Sequence, residues 1–192
     1  MTPADYVGEI IESSSNRVVA QLPHRRDIQP PAFGCWVRMD PDRQVLGIVY
    51  NVMTTGVDAN RQPVAYGIPL DELDAKMPHL FELQRTNFEI SIIGYQQGGQ
   101  VYYHTPPLPP RLHARVYLLS TGEIQKISEN LAFLRMILAN PNVPTDELIA
   151  AVIRQTAPLH PNPQYRVQVG KELSQLLSDD YPRLKSVLQR LV

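Results

Sequence analysis

Residues 35–52, CWVRMDPDRQVLGIVYNV, decide the fold. Side chains over 35–39 alternate in character and residues 45–52 are rich in β-branched types, so both segments predict strands. The DPDRQ segment between them, residues 40–44, has the composition of a tight turn. Gly47 lies inside the second strand, where a missing side chain indicates a bulge or a close backbone approach, as at a barrel corner.

Further strands are predicted on both sides of this hairpin. Towards the N-terminus, VGEIIES and RVVAQL flank the turn residues SSN, and a polar, proline-rich loop follows over 23–34. Towards the C-terminus, FEISIIGY, VYY and ARVYLLS repeat the strand pattern. These five segments lie at 7–13, 17–22, 88–95, 101–103 and 114–120. Short strands at this spacing predict a small barrel or a sandwich.

The strand pattern is interrupted after residue 52, and residues 59–87 form an insertion. TTGVDANRQPVAYG has the composition of a loop. A short helix is predicted directly after Pro69, because the acidic residues that follow favour the positive end of a helix dipole. Pro78 is expected to end this helix.

The pattern changes to helical at Ser120. Ser120 and Glu123 fit the S-x-x-E capping box that begins many helices. Apolar residues then recur at steps of three and four, which predicts one amphipathic helix reaching to the NPNVP segment. This stripe consists of Ile124, Ile127, Leu131, Leu134 and Leu138.

Three more helices are predicted after this one. Thr145 is expected to cap DELIAAVIRQTA, a third helix covers about 164–178, and a fourth runs from Pro182 to the end. We therefore predict an α+β fold, with a β-barrel domain over 1–120 and an all-α unit of three to four helices over 121–192.

Composition limits the function classes. The chain of 192 residues carries 18 Lys and Arg against 19 Asp and Glu, so it lacks the basic excess typical of nucleic-acid-binding proteins. Its single cysteine excludes an intramolecular disulfide and agrees with a reducing compartment. There is no signal-peptide pattern and no apolar run of about 20 residues, so we expect a cytoplasmic protein without a membrane span.

The strand segments resemble the HAS-barrel family, named after HerA-type ATPases and rotary ATP synthases. VGEII, FGCWVRM and VLGIVYNV are similar to the early strands of that family, and FEISIIGY with TPPLPPRLHARVYLLSTGEI is similar to its closing part. The resemblance covers about residues 5–58 and 88–123, and it is closest to stand-alone, cyanobacterial-type members without an ATPase domain. It implies an antiparallel barrel that assembles or docks proteins and performs no catalysis.

No phosphate-binding loop accompanies the predicted barrel. The pair Gly170–Lys171 is followed by Glu172 and lacks the upstream glycine of the G-x-x-x-x-G-K-[ST] motif. The ATPase function of the larger HerA-type proteins is therefore not expected here. The insertion and the C-terminal helices fall outside the resemblance, and a function specific to this protein could lie in them.

A small basic patch is the first candidate binding site. His24, Arg25 and Arg26 form the only tight basic cluster, and Arg38 and Arg43 could extend it. Such a patch would bind an anion or an acidic partner. The alternative, which we favour, is a solvated loop. Few aromatic residues that could stack on bases accompany the cluster, so its support for nucleic-acid binding is small.

The second candidate is a proline-rich segment that we call the proline strap, residues 104–113. Pro106, Pro109 and Arg111 form P-x-x-P-x-R, the spacing that SH3-type domains bind, with Pro107 and Pro110 beside them. Prolines between two predicted strands also make a stiff connector, since they fix φ and remove backbone donors. We favour the connector, with display to a partner as the alternative.

No catalytic constellation stands out. Cys35 lies in a strand, where a cysteine usually acts as a small hydrophobic residue. The five histidines show no ligand spacing, and the DELD and DD carboxylates at 71–74 and 179–180 suit helix starts. We expect no enzymatic activity, no metal and no cofactor.

These observations favour a non-catalytic scaffold or assembly module. Its expected partner is a protein, for which an ATPase or a multisubunit complex is the class suggested by the resemblance, and self-association stays open. The alternative is an accessory protein of nucleic-acid processing, because HerA-type ATPases act there. Its sequence support is limited to the basic cluster at residues 24–26.

Overall fold

A computed structural model describes residues 6–23, 28–56, 64–77, 80 and 83–191. Seven strands and six α-helices are found in these ranges. The strands are β1 (Tyr6–Ser13), β2 (Arg17–Gln21), β3 (Trp36–Met39), β4 (Val45–Gly56), β5 (Gln84–Gln97), β6 (Gln100–Tyr102) and β7 (Arg115–Leu118). The helices are α1 (Leu70–Lys76), α2 (Thr121–Ser128), α3 (Phe133–Leu138), α4 (Thr145–Thr156), α5 (Gln164–Leu176) and α6 (Tyr181–Gln189).

Six of the strands close into an antiparallel barrel. Their order is β2-β1-β7-β3-β4-β5, and a pairing between β2 and β5 completes the circle. The strand β6 extends the sheet as a short hairpin with β5. The predicted α+β class, with an N-terminal barrel and C-terminal helices, is thus confirmed.

The barrel interior is filled by apolar side chains from every closing strand, among them Ile10, Val18, Val37, Phe88 and Val116. Gly47 is required where β4 meets β5. A Cβ atom at this position would lie 2.3 Å from Cγ2 of Ile90, and the register shifts between Leu46 and Gly47. The bulge and close approach predicted from the sequence are confirmed.

The sequence predicts that the strand pattern stops after residue 52, and this prediction is too early. β4 continues to Gly56 and pairs there with Gln84, so both strands are longer than expected. Cross-strand pairing accounts for this, since the Thr54 and Thr86 hydroxyls lie 2.8 Å apart although their segments look loop-like in the sequence. The predicted short helix is present as α1, and its expected stop at Pro78 lies outside the described residues.

The single helix predicted after Ser120 is divided into α2 and α3. The capping box itself is confirmed, with Ser120 accepting from the Glu123 backbone N–H and Glu123 accepting from that of Ser120. The Asn130 side chain accepts a hydrogen bond from the Ala132 N–H at 2.9 Å. Such a local bond replaces helical pairing, so the apolar stripe continues while the helix does not. The helical unit therefore contains five α-helices in its described part.

The other helix starts follow the sequence in part. Asp180 caps α6 by accepting from the Arg183 N–H at 3.0 Å, as its carboxylate suggested. Thr145 does not cap α4, because it is the first helical residue and Pro144 occupies the cap position. The Thr145 hydroxyl instead accepts a hydrogen bond from Arg183, which joins α4 to α6.

The C-terminal helices pack on the outer face of β3, β4 and β5. Trp36 and Ile48 point from this face into the same apolar cluster as Phe133, Leu134 and Val152. The rings of Trp36 and Phe133 meet edge to face, with 5.0 Å between their centroids. Burial of each such side chain contributes about 1.5–3 kcal/mol, so one continuous core holds the helices against the barrel.

Candidate functional site

The proline strap connects β6 to β7 and lies against the barrel. Pro106 and Pro110 are buried, whereas Pro107 and Leu108 are exposed. The Ser13 hydroxyl donates to the Pro110 carbonyl at 2.6 Å, and the Arg43 guanidinium donates to the Pro109 carbonyl. Because prolines lack N–H donors but keep their carbonyls, side chains from neighbouring strands can hold the strap without a sheet ladder.

A buried carboxylate fixes the C-terminal end of the strap. Asp40 is fully buried at a φ of 50°, in the turn between β3 and β4. Its oxygens accept hydrogen bonds from Nη2 of Arg111 at 2.6 Å, from Nε at 2.9 Å and from the Arg111 backbone N–H at 3.0 Å. The same guanidinium also reaches Asp42 at 2.6 Å. The strap is thereby tied to a turn 71 residues away in sequence.

The charges at this contact shift the pKa values of its groups. Burial alone would raise the pKa of Asp40, but hydrogen bonds from the side chain and backbone of Arg111 outweigh it and lower the pKa. The hydrogen bonds to Asp40 and Asp42 raise the pKa of Arg111. Asp40 is therefore ionised at neutral pH.

The strap geometry differs from that of a displayed SH3-type ligand. Such a ligand presents both prolines and its arginine to the partner. Here Pro106 is buried, Pro109 is half-buried, and the Arg111 guanidinium is occupied by Asp40 and Asp42. The segment has the contacts of a connector within the fold.

The proposed basic patch is only partly described, since His24, Arg25 and Arg26 lie outside the described residues. Arg38 on β3 pairs with Glu123 at 2.7 Å, at the start of α2. Arg43 lies 3.8 Å from Asp40 and holds the strap. Arg38 and Arg43 thus take part in two separate contacts, and each has a carboxylate partner within the fold.

The insertion between β4 and β5 carries a different kind of surface. None of the described residues over 64–77 is buried, and α1 contributes no side chain to either core. Four apolar side chains lie exposed just before or at the start of α1: Val64 at 73%, Tyr66 at 47%, Ile68 at 36% and Leu70 at 70%. We call these four residues the insertion patch. Sequence reasoning missed the patch, because its residues alternate like those of a strand but Gly67 and Pro69 between them give the segment the composition of a loop.

A second cluster missed from the sequence joins α2 to the turn that follows α4. The Ser128 hydroxyl lies 2.8 Å from Nε2 of His160, and the imidazole stacks on the Tyr165 ring with centroids 3.8 Å apart. Burial lowers the pKa of His160, although Glu129 opposes the shift. A serine beside a histidine can act as a nucleophile, but Ser128 is fully buried, so its hydroxyl is shielded from solvent. We therefore interpret the cluster as a structural contact that joins helices.

Cys35 and the histidines complete the candidate chemistry. Cys35 is half-buried, and burial raises the pKa of its thiol, which keeps it protonated at neutral pH. Within the ranges that the structure describes, no group of three or more His, Cys, Asp or Glu side chains could hold a metal ion. No helix in the same ranges has the length and apolar character needed to cross a membrane.

Comparison with known proteins adds no assignment. No family model matches the chain, and no curated protein matches it either.

Proposed function

We propose that this protein is a non-catalytic assembly module that binds a protein partner through the insertion patch. The observation that carries the proposal is the exposure of Val64, Tyr66, Ile68 and Leu70 in one stretch of seven residues. Single exposed apolar residues are common on protein surfaces, whereas a contiguous group of large ones is typical of an interaction site.

The energetics of α1 support the same proposal. A helix of seven residues is too short to be stable on propensity alone, since isolated helices below about 12–15 residues are marginal in water. Most helices gain their stability by burying an apolar face, and α1 buries none of its residues. A partner that covers Leu70 and Leu73 would supply the missing burial.

The rest of the molecule suits a rigid platform. An apolar cluster joins the C-terminal helices to the outer face of the closed barrel, so the insertion projects from a packed scaffold. We infer that the chain is related to the HAS-barrel family, and the closed six-stranded barrel agrees with the fold that this relation implies. A docking role follows from that relation.

Affinity purification of the tagged 192-residue chain tests the proposal. We expect one partner recovered in near-stoichiometric amount with the wild type and lost with the double variant Val64→Asp/Leu70→Asp. The matched control is Val167→Asp/Tyr181→Asp, which adds the same two charges at apolar side chains that are 49% and 71% exposed on α5 and α6. Equal recovery with both variants would contradict the proposed site, and recovery of the bare chain alone would contradict the function.

The alternative role in nucleic-acid processing has a separate test. It would depend on His24, Arg25 and Arg26, because Arg38 and Arg43 already have carboxylate partners. Binding through phosphate contacts weakens steeply as salt rises. A titration of single- and double-stranded DNA from low to high salt therefore separates this role from protein docking.

A further inference from the structure

A cleft lies where the proline strap turns into β7. Its volume is about 370 Å³, within the range of about 300–1,000 Å³ that is typical of small-molecule sites. Five consecutive residues line it together with one residue of the turn between β3 and β4: Arg111, Leu112, His113, Ala114, Arg115 and Pro41. We call this feature the strap cleft.

The residues that line the strap cleft include three basic side chains and no acidic one. Arg111, His113 and Arg115 are all exposed at the surface. Leu112, which is 57% exposed, adds apolar surface between them. A concave site that combines positive charge with apolar surface suits an anion that also carries an apolar group.

The positive charge that the cleft offers to a ligand comes from Arg115. Two carboxylates of the turn between β3 and β4 already neutralise Arg111, at 2.6 Å each. Arg115 lies over the ring of Tyr6, with 5.3 Å between the guanidinium carbon and the ring centroid, and forms no ion pair with any described residue. Glu9, which faces Arg115 in the β1–β7 pairing, accepts a hydrogen bond from the Tyr6 hydroxyl at 2.9 Å. One unpaired positive charge matches a monoanion.

Hydrogen bonds within the fold fix the walls of the cleft. Asp40 holds the Arg111 side chain and its backbone N–H at 2.6–3.0 Å. The His113 N–H donates to the Ile10 carbonyl at 2.9 Å, and the Ala114 N–H donates to the Arg111 carbonyl at 3.2 Å. His113 has a φ of 62°, a conformation that is uncommon outside glycine and is often found at binding sites. Walls that are already ordered reduce the entropy lost when a ligand binds.

We propose that the strap cleft binds a small organic carboxylate. The carboxylate pairs with the guanidinium of Arg115, because the fork of N–H donors on arginine matches two carboxylate oxygens. The imidazole of His113 supplies a further N–H donor. The apolar part of the ligand packs on Leu112 and Pro41.

Titration of the isotope-labelled 192-residue chain with phenylacetate, followed through backbone amide chemical shifts, tests the proposal. We expect saturable shifts centred on residues 111–115, with a dissociation constant on the order of 1–10 mM. Phenylacetamide keeps the shape of phenylacetate without its charge, and acetate keeps the charge without the ring. Each should bind about three- to tenfold more weakly than phenylacetate.

Two arginine substitutions separate the cleft from surface charge in general. Arg166 lies exposed on α5 and, like Arg115, forms no ion pair with a described residue. Arg115→Gln should weaken phenylacetate binding about three- to tenfold, to the level of phenylacetamide, whereas Arg166→Gln should leave it unchanged. Arg115→Lys keeps the charge without the fork and should bind with an intermediate affinity.

Leu112→Ser tests the apolar wall without touching a charge. It should weaken phenylacetate binding and leave acetate binding as it is, because acetate has no ring to pack on the leucine. This variant also keeps the proposal testable if Arg115→Gln disturbs the barrel, which the amide shifts of β1 and β7 without ligand would show.

Each outcome decides the proposal. Saturable binding that depends on the carboxylate, on Arg115 and on Leu112 supports it. The absence of saturable shifts up to about 50 mM phenylacetate overturns it, as does equal weakening by Arg115→Gln and Arg166→Gln. The strap cleft shares no residue with the insertion patch, so Val64→Asp/Leu70→Asp tests the proposed function alone and should leave phenylacetate binding intact.

Discussion

The proline strap and the insertion are both proline-containing connections between barrel strands, yet the fold treats them oppositely. The strap buries Pro106 and Pro110 and is tied down by Asp40, Arg43 and Ser13. The described residues of the insertion bury nothing, although the four residues of the insertion patch are large and apolar. Proline content therefore does not distinguish a connector from a display element. What distinguishes them is whether their backbone carbonyls and side chains have partners within the fold.

The largest expected effect follows from breaking the strap at Asp40. Asparagine accepts a positive φ and keeps the side-chain shape, so Asp40→Asn removes the charge with little strain. Hydrogen bonds to charged groups contribute about 1.5–3 kcal/mol, and we expect a loss of that size in the free energy of unfolding. Urea denaturation measures it.

Asp42→Asn is the matched control for this change. Asp42 contacts the same guanidinium, but its side chain is 75% exposed, and surface pairs contribute at most about 1 kcal/mol. Equal effects of the two substitutions would show that the burial of Asp40 does not matter.

The same contact predicts how stability responds to acid. Because the pKa of Asp40 is lowered by folding, its contribution is complete above the unfolded value of about 3.9 and is lost as pH falls through the lower folded value. The stability difference between wild type and Asp40→Asn should therefore be full at pH 7 and shrink below about pH 4. Denaturation at several pH values checks this, and a constant difference would rule out the ionised carboxylate as the cause.

A smaller effect is expected from the prolines themselves. Pro106→Ala/Pro109→Ala frees the unfolded chain and removes buried surface at Pro106, at a cost of about 1–2 kcal/mol in total. Binding of a partner should be unchanged. Thermal denaturation and affinity purification test the two statements together, and loss of a partner at an unchanged melting temperature would show that the strap is a displayed ligand after all.

Local sequence patterns were enough to predict much of the barrel and several helix boundaries. Alternation gives the strands, the Ser120–Glu123 box gives the start of α2, and Gly47 marks the bulge. Each depends on residues within a few positions of one another. Even here, one local hydrogen bond, which the Asn130 side chain accepts, divides a helix that the apolar periodicity predicts as continuous.

The contacts that define the candidate surfaces are nonlocal, and the sequence carries no signal for them. In the sequence, Asp40 looks like an ordinary turn residue. The fold brings Arg111, which lies 71 residues away in the chain, into hydrogen-bonding contact with its carboxylate. The Ser128–His160 pair spans 32 residues. Likewise, a composition typical of a loop cannot show that the apolar residues of the insertion find no cover in the fold.

The smallest effect on stability is expected at the insertion patch, where the contrast with the proline strap is greatest. Val64→Ser/Leu70→Ser removes apolar surface that the fold does not bury, so the free energy of unfolding should change by less than about 0.5 kcal/mol. Partner recovery should nevertheless fall, because the same side chains would supply the buried anchors of the interface. Urea denaturation and quantitative pull-down on the same samples compare the two readouts. A stability loss comparable to that of Asp40→Asn would mean that the insertion is packed as firmly as the strap, and it would remove the physical basis for a docking surface there.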